Sequence, residues 1–354
     1  MNMNEYRVIG VMSGTSLDGV DLVYVKFHFE ERWVFNLIYS ETVPYDDYWM
    51  KKLKGLVSLE IETLKLLDKT YTKHLSQTIL GFIRKYKIED IDAICSHGHT
   101  ALHRPENRLT YQIGNLPEIA SLLNNKVVCD FRVQDVQLEG QGAPLVPLGD
   151  QLLFCEYDYC LNLGGFANIS TDMNNNRIAY DICPVNIVLN HYVSALGFHY
   201  DKDGKIAASG SLNKDLLLQL NSLDFYKQSY PKSLGLEWVK AAVFKLIDAF
   251  NLEVADVLHT SCEHIAIQIC NELNKTSNAK VLVTGGGAYN RYLMQRLKFY
   301  SNNDLVIPEN EVVEFKEAII FAFLGILKLR GEINCLKSVT GAKQNHSTGI
   351  IYQP

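Results

Sequence analysis

The sequence predicts an α/β protein of two lobes, and three observations predict it. A chain of 354 residues with 47% hydrophobic content is long enough for two separate cores. Its pattern switches from strand to helix: Leu22, Tyr24, Lys26 and His28 alternate with Val23, Val25, Phe27 and Phe29, whereas leucines and aromatics recur at helical spacing from about Asp46 to Tyr86. The second half then opens as the first does, with strand, glycine turn, strand and strand, and closes on helices. No residue-level repeat accompanies this, so the duplication is architectural.

In order, Tyr6–Met12, Val20–Phe29 and Trp33–Glu41 read as strands, followed by two helices broken near Ser58. Ile91–Ser96 is a short apolar strand running into the polar Ser96–Thr100, and Thr110–Ile113 is another. Pro117–Asn124 reads as helix, Val127–Phe131 as strand, and Arg132–Pro147 as a long polar loop of the kind that more often carries function than not. The second half offers strands at Tyr159–Leu163, Phe166–Met173 and Arg177–Asp181, apolar helices at Leu236–Phe250 and Ala255–Leu273, and a strand at Val281–Thr284. That strand meets Gly285, Gly286 and Gly287 ahead of a helix at Asn290–Tyr300, an arrangement suited to an anion or nucleotide. Glu314–Arg330 is a final helix, and the tail beyond Glu332 shows no regular period. The expected boundaries are 1–150 and 151–354, with the final helix and tail free to pack back on the first lobe.

Composition excludes several functions. A formal net charge of −6 without a Lys/Arg block argues against broad nucleic-acid binding. The eight cysteines form no CxxC pair and mostly lie inside apolar runs, as reduced core thiols do; Cys155 and Cys160 are read this way. The N-terminus is polar, and the apolar run Ala318–Leu327 is about half of the roughly 20 residues a membrane span needs. A soluble, cytoplasmic protein is expected.

The stretch GVMSGTSLDGVD, Gly10 to Asp21, joins the first two strands. Gly14 and Gly19 with Ser13, Thr15 and Ser16 suit close approach of backbone amides to an anion, and Asp18 and Asp21 suit a divalent cation. This is chemistry for holding phosphate, although a hairpin turn with no ligand uses the same residue types. Gly164–Gly165 and Gly285–Gly287 are two further glycine turns, and three converging on one cleft would suit a nucleoside triphosphate.

Taken together, GVMSGTSLDGVD, SHGHT (96–100), YQIGN (111–115), DFR (130–132), GQGAPLVP (140–147), LNLGGFANIS (161–170), PKSLG (231–235), TGGGAYN (284–290), KEA (316–318) and VTGA (339–342) resemble the anhydro-N-acetylmuramic acid kinase family. The resemblance implies the two-lobed actin-like ATPase (ribonuclease H-like) fold with its active-site cleft between the lobes. It also implies ATP- and Mg2+-dependent opening of 1,6-anhydro-N-acetylmuramic acid to its 6-phosphate in cell-wall recycling. Carried over by residue, Gly14, Thr15, Ser16, Leu17, Asp18, Gly19, Val20 and Asp21 form the first phosphate loop, with Asp18 as metal ligand. Gly164 and Gly165 form the second, and Gly285, Gly286, Gly287 and Asn290 border the adenosine. Asp181 is the general base, and Thr100, Arg132 and Glu317 line the sugar pocket. Whether the protein works as a homodimer is left open.

Two departures stand out. Where the family reads DTGPGN, this chain has Asp181, Ile182, Cys183, Pro184, Val185 and Asn186, with Asn190 where a second Asp follows; His99 replaces a usual Gln. They leave room for a related anhydrosugar such as levoglucosan, or for a silent nucleotide- or sugar-binding regulator. Simpler readings also exist for single residues: Asp181 as a helix cap, His97, His99 and His103 as a zinc set, Arg132 as a loop tether, and Glu317 as a first-turn acid of its helix.

Overall fold

The computed structural model describes residues 4–14 and 17–354. Among them twelve strands follow in order: β1 Glu5–Ser13, β2 Gly19–Phe29, β3 Trp33–Pro44, β4 Ala93–Arg104, β5 Leu109–Ile113, β6 Val127–Cys129, β7 Tyr159–Leu163, β8 Phe166–Met173, β9 Asn176–Pro184, β10 Lys280–Thr284, β11 Asp304–Val306 and β12 Ile350–Tyr352. The chain divides into two compact units, Met1–Leu153 with Phe315–Pro354, and Phe154–Glu314. Both divisions are marked by helices, Val146–Leu153 and Asn310–Leu329.

In the first unit the sheet runs β12-β6-β4-β1-β2-β3, with β5 paired to β4. β1, β2 and β3 form an antiparallel meander, and β4 and β6 then add parallel to β1. In β2, Leu22, Val23, Val25 and Phe27 are all fully buried, because both faces of a central strand are covered. β3, at the edge, alternates between covered and exposed residues. The helix Asp47–Lys54 starts where the Asp46 side chain accepts from the Trp49 amide at 2.8 Å. The longer helix Ile61–Tyr86 buries Leu64, Tyr71, Leu75, Ile79 and Phe82 at spacings of three, four and seven, one stripe of its surface. Each such side chain contributes roughly 1.5–3 kcal/mol of burial.

The second unit repeats the path. Its order, β11-β10-β7-β8-β9, matches β6-β4-β1-β2-β3 strand for strand, again with an antiparallel meander followed by two parallel additions. The helix Val254–Leu273 carries the chain towards β10 and is buried at Val257, Leu258, Cys262, Ile265, Ala266 and Ile269. The helix Arg291–Tyr300 makes the second crossover, to β11. The expected architectural duplication is therefore present, and this strand order is that of the ribonuclease H-like fold.

Several details differ from the sequence reading. β4 does not end near Ser96 but continues to Arg104, since its far half pairs with β5 as a hairpin. β9 extends to Pro184, which puts Asp181 inside a strand. The loop Arg132–Pro147 holds a short helix, Val133–Gln137, and the tail supplies β12. Cys155 is exposed rather than core, whereas Cys160 is buried; none of the eight cysteines forms a disulfide. No helix among the described residues is long and apolar enough to cross a membrane.

Candidate active site

In the first unit, the turn between β1 and β2 is held at both ends. At its start, Ser13 Oγ lies 2.7 Å from His99 Nδ1 and 2.6 Å from Tyr45 Oη, and Tyr45 Oη is 2.5 Å from Tyr71 Oη. Burial lowers His99 to about 4, so the ring is neutral near pH 7 and joins β4 to the turn as a hydrogen-bonding group. At its end, a Cβ on Gly19 would lie 2.5 Å from Val43 O, so this glycine admits the neighbouring strand β3. Between them Leu17 adopts φ +62°, Asp18 is exposed, and half-buried Asp21 accepts from Thr42 Oγ1 at 2.6 Å. Val20 is a buried strand residue, and Gly14 is half-buried. Thr15 and Ser16 lie outside the described residues.

Arg132 follows β6 and is gripped by the loop around it. Its Nε donates to His97 Nε2 at 2.8 Å and its Nη1 to Gly142 O at 2.6 Å. His97 can accept there because its Nδ1–H is committed to Gly98 O at 2.9 Å. Burial, reinforced by the adjacent Arg132 charge, holds His97 well below its ordinary value, so the imidazole stays neutral. Burial also lowers Arg132 to about 10, opposed by the negative charges of Glu317 and Asp135, and the guanidinium remains a cation at neutral pH. His103 Nδ1 is 3.1 Å from Thr110 Oγ1. The three histidines thus serve three separate partners and do not form a zinc set.

Glu317 is eight residues into the helix Asn310–Leu329, well past the first turn, and its side chain is exposed. The helix is placed by close contact: a Cβ on Gly10 of β1 would meet Ala318 O at 2.2 Å, and Lys316 forms a buried 2.7 Å ion pair with Asp150. Thr100 is half-buried on β4, opposite Gln112 in the hairpin. The geometry brings Arg132, His97 and Glu317 into one electrostatic group, with Thr100 three residues along the strand from His97.

In the second unit, Gly164 and Gly165 make the β7–β8 turn, and their carbonyls are used. Gly165 O accepts from the amides of Val185 and Ile187 at 2.8 and 3.3 Å, and Gly164 O from Asn186 N at 3.2 Å. Asn186 Nδ2 also donates to Leu163 O at 3.1 Å. The glycine run abuts the same turn. A Cβ on Gly285 (φ +83°) would lie 2.5 Å from Asn162 Oδ1, and one on Gly287 2.7 Å from Leu163 Cβ. Gly286 is different: it is exposed, and the nearest atom to an added Cβ, Asn186 Nδ2, is 3.8 Å away. Asn290 caps the helix Arg291–Tyr300, its Oδ1 accepting from Leu293 N at 3.0 Å.

Asp181 lies half-buried in β9, with Oδ2 accepting from Leu234 N at 2.8 Å and the Asp181 amide donating to Lys232 O at 3.2 Å. It caps no helix; the residue before the helix Asn186–Val193 is Val185. Burial raises its carboxyl, while the Leu234 amide and the Ser233 hydroxyl lower it. A carboxylate steadied by a backbone amide, with its proton affinity raised, is equipped to accept a proton from water.

Set against known proteins, the family model for anhydro-N-acetylmuramic acid kinase matches residues 6–354. The chain belongs to the anhydro-N-acetylmuramic acid kinase family. It is 34% identical to the anhydro-N-acetylmuramic acid kinase of Aliivibrio fischeri over 365 residues, covering 98% of this chain and 99% of that one. To the Sulfurimonas denitrificans protein of the same name it is 32% identical over 373 residues, at 99% and 100% coverage. Among solved structures it is similar to component A of the (R)-2-hydroxyglutaryl-CoA dehydratase of Acidaminococcus fermentans, at 12% identity over 90% of this chain and 96% of that one, with a TM-score of 0.46.

Within the anhydro-N-acetylmuramic acid kinase family, the departures beside Asp181 acquire a structural account. Ile182, Cys183 and Val185 are at most 1% exposed and join the second unit's core with Leu161, Leu163 and Ile265. The larger side chains in place of two glycines and a hydroxyl are thus absorbed by packing. Sequence reasoning did not find His97 as the acceptor for Arg132, Asn186 as the strut under Leu163, or Leu234 as the donor to Asp181. Each lies in a motif or stretch quoted above, but their contacts join segments far apart in the chain.

Proposed function

We propose that this protein is an ATP-dependent anhydrosugar kinase. In its reaction 1,6-anhydro-N-acetylmuramic acid is hydrolytically opened and phosphorylated on O6, giving N-acetylmuramic acid 6-phosphate in peptidoglycan recycling. The family match over residues 6–354, with Asp181 in place and braced by Leu234 N, supports this reading most. Asp181 accepts a proton from water as the water oxygen bonds to the anomeric carbon. The C1–O6 bond breaks, O6 takes the γ-phosphoryl group, and the bond to the ADP oxygen breaks. General-base catalysis of this kind typically contributes about 10²- to 10⁴-fold.

The carboxylates of Asp18 and Asp21 at the first turn offer hard oxygen donors of the kind Mg2+ takes, and Asp18 would hold it. Bound there, the ion would neutralise charge on the transferring phosphoryl group. Gly14–Asp21 and Gly164–Gly165 contact the phosphates, and Gly285–Gly287 with Asn290 border the adenosine. Exposed Gly286 is the one of the three glycines open to a ligand. Arg132, Thr100 and Glu317 line the sugar site, Arg132 being held rigid for a charged or polar group of the sugar by His97 and Gly142 O. Eight cysteines without a disulfide among them support a reducing, cytoplasmic setting.

The test is ADP release with ATP, Mg2+ and 1,6-anhydro-N-acetylmuramic acid, levoglucosan in parallel, and mass spectrometry of the product. A muramic product heavier by one water and one phosphoryl group is expected. Turnover of levoglucosan alone would reassign the substrate, and tight binding of both ligands without ADP release would make the protein a regulator.

A further inference from the structure

Behind Arg132, in the first unit, three side chains from distant parts of the chain meet in the interior. Asp135, Cys335 and His346 are 0%, 1% and 6% exposed, and one donor atom from each lies within 4.8 Å of the others. Cys335 Sγ is 3.1 Å, and His346 Nε2 3.5 Å, from the same carboxylate oxygen, Asp135 Oδ1. We infer that Asp135 Oδ1, Cys335 Sγ and His346 Nε2 form a structural site for a transition-metal dication, Zn2+ by its donor set.

The case rests first on an unsatisfied atom. His346 Nδ1 is 3.1 Å from Gln344 O, and as that carbonyl can only accept, Nδ1 carries the proton. On the other side of the ring Nε2 makes no hydrogen bond and faces Asp135 Oδ1 at 3.5 Å. A buried polar atom without a hydrogen bond is costly, and a cation held between Nε2 and Oδ1 would give both atoms a ligand bond. The fixed Nδ1–H is also the outer contact that metal-binding histidines make.

Preorganisation is the second support. Cys335 and His346 are directly paired across an antiparallel bridge, each amide donating to the other's carbonyl at 3.1 Å, so their side chains leave the backbone side by side. Asp135 is oriented by Thr340 Oγ1 at 2.7 Å on Oδ1 and by Gly142 N at 2.7 Å on Oδ2. Thiolate, imidazole and carboxylate at tetrahedral zinc bond lengths lie about 3.3–3.7 Å apart, close to the spacings around Asp135 Oδ1. Binding breaks the Cys335 S–H bond and forms S–Zn, N–Zn and O–Zn bonds. The thiol proton passes to solvent and no electron moves. A fourth position remains for a further ligand.

The consequence reaches the kinase site. Gly142, whose amide holds Asp135, also receives Arg132 through its carbonyl, so the metal would clamp the C-terminal tail to the loop that grips Arg132. Because the donors are buried, the ion would enter as the tail folds.

The full-length chain, free of any histidine tag, is unfolded, reduced and refolded with one equivalent of Zn2+, then desalted and its metal content measured. In parallel, refolding with Co2+ reads the thiolate-to-cobalt absorption band. One zinc per chain is expected, with the band present in the wild type and lost in Cys335→Ser. His346→Gln should lower occupancy, and Thr340→Val, which removes the hydroxyl that orients Asp135 Oδ1 without removing a donor atom, should weaken binding roughly 10–100-fold. A refolded wild type that keeps no zinc and shows no thiolate band overturns the proposal, as does equal zinc in Cys335→Ser. Should the variants fail to fold, the wild-type cobalt spectrum decides alone.

Discussion

The β1–β2 turn of the first unit and the β7–β8 turn of the second occupy the same place in the same strand order, yet they are built for different work. The second is two glycines long, and its carbonyls are occupied by the amides of Val185, Asn186 and Ile187 while Gly285 and Gly287 press against β7 beside it. The first lies between Ser13 and Gly19 and is anchored at those ends, by the Ser13–His99–Tyr45 network and by Gly19 against Val43. It carries an exposed carboxylate, Asp18, where the second carries none. Strand order fixes where a turn stands, and turn length decides whether it offers a rigid backbone or placed side chains.

The largest effect should come from the carboxylate beside the second turn. Asp181→Asn keeps the shape and the Leu234 contact but removes the base, and kcat should fall about 10²- to 10⁴-fold with ATP affinity retained. Steady-state kinetics with a nucleotide titration measure both, and turnover near wild type would remove Asp181 from the mechanism.

Gly285→Ala tests the bracing of the second turn. The added methyl meets Asn162 Oδ1 and the Leu163 backbone at a left-handed φ, so urea denaturation should show a loss of about 1–3 kcal/mol. Gly19→Ala should cost a similar amount through Val43 O; unchanged midpoints would mean that these turns yield more readily than their packing implies.

The anchor of the first turn is sensitive to pH. A histidine whose folded pKa lies below its unfolded value of about 6.5 binds more protons when unfolded. Its contribution is therefore fully present above that value and is lost as pH falls from about 6.5 towards about 4, the value burial gives His99. Urea midpoints across this range should fall less steeply in His99→Gln than in the wild type. Parallel curves would leave His99 without a part in acid sensitivity.

The smallest change sharpens the contrast between neighbouring glycines. Gly286→Ala meets nothing closer than 3.8 Å and should shift stability by no more than about 0.5 kcal/mol, while raising KM for ATP if this glycine faces the nucleotide. A stability loss matching Gly285→Ala would show that the two positions are alike.

The sequence alone determined the strands and helices with strong period, the repeated order of the two halves, and the family, because these depend on local pattern and on motifs that survive in order. β1, β2 and β7 were legible nearly to the residue, since alternation and glycine punctuation mark them. Short strands such as β11 and β12 were not, because three residues carry no period and form by docking onto β10 and β6. Tertiary structure alone decided that Asp181 is braced by Leu234 rather than capping a helix, that His97 serves Arg132, and that Ile182, Cys183 and Val185 face a core. It also brought Asp135 to Cys335 and His346, some 200 residues away. Such contacts follow from which strands become neighbours, and no local spacing encodes them.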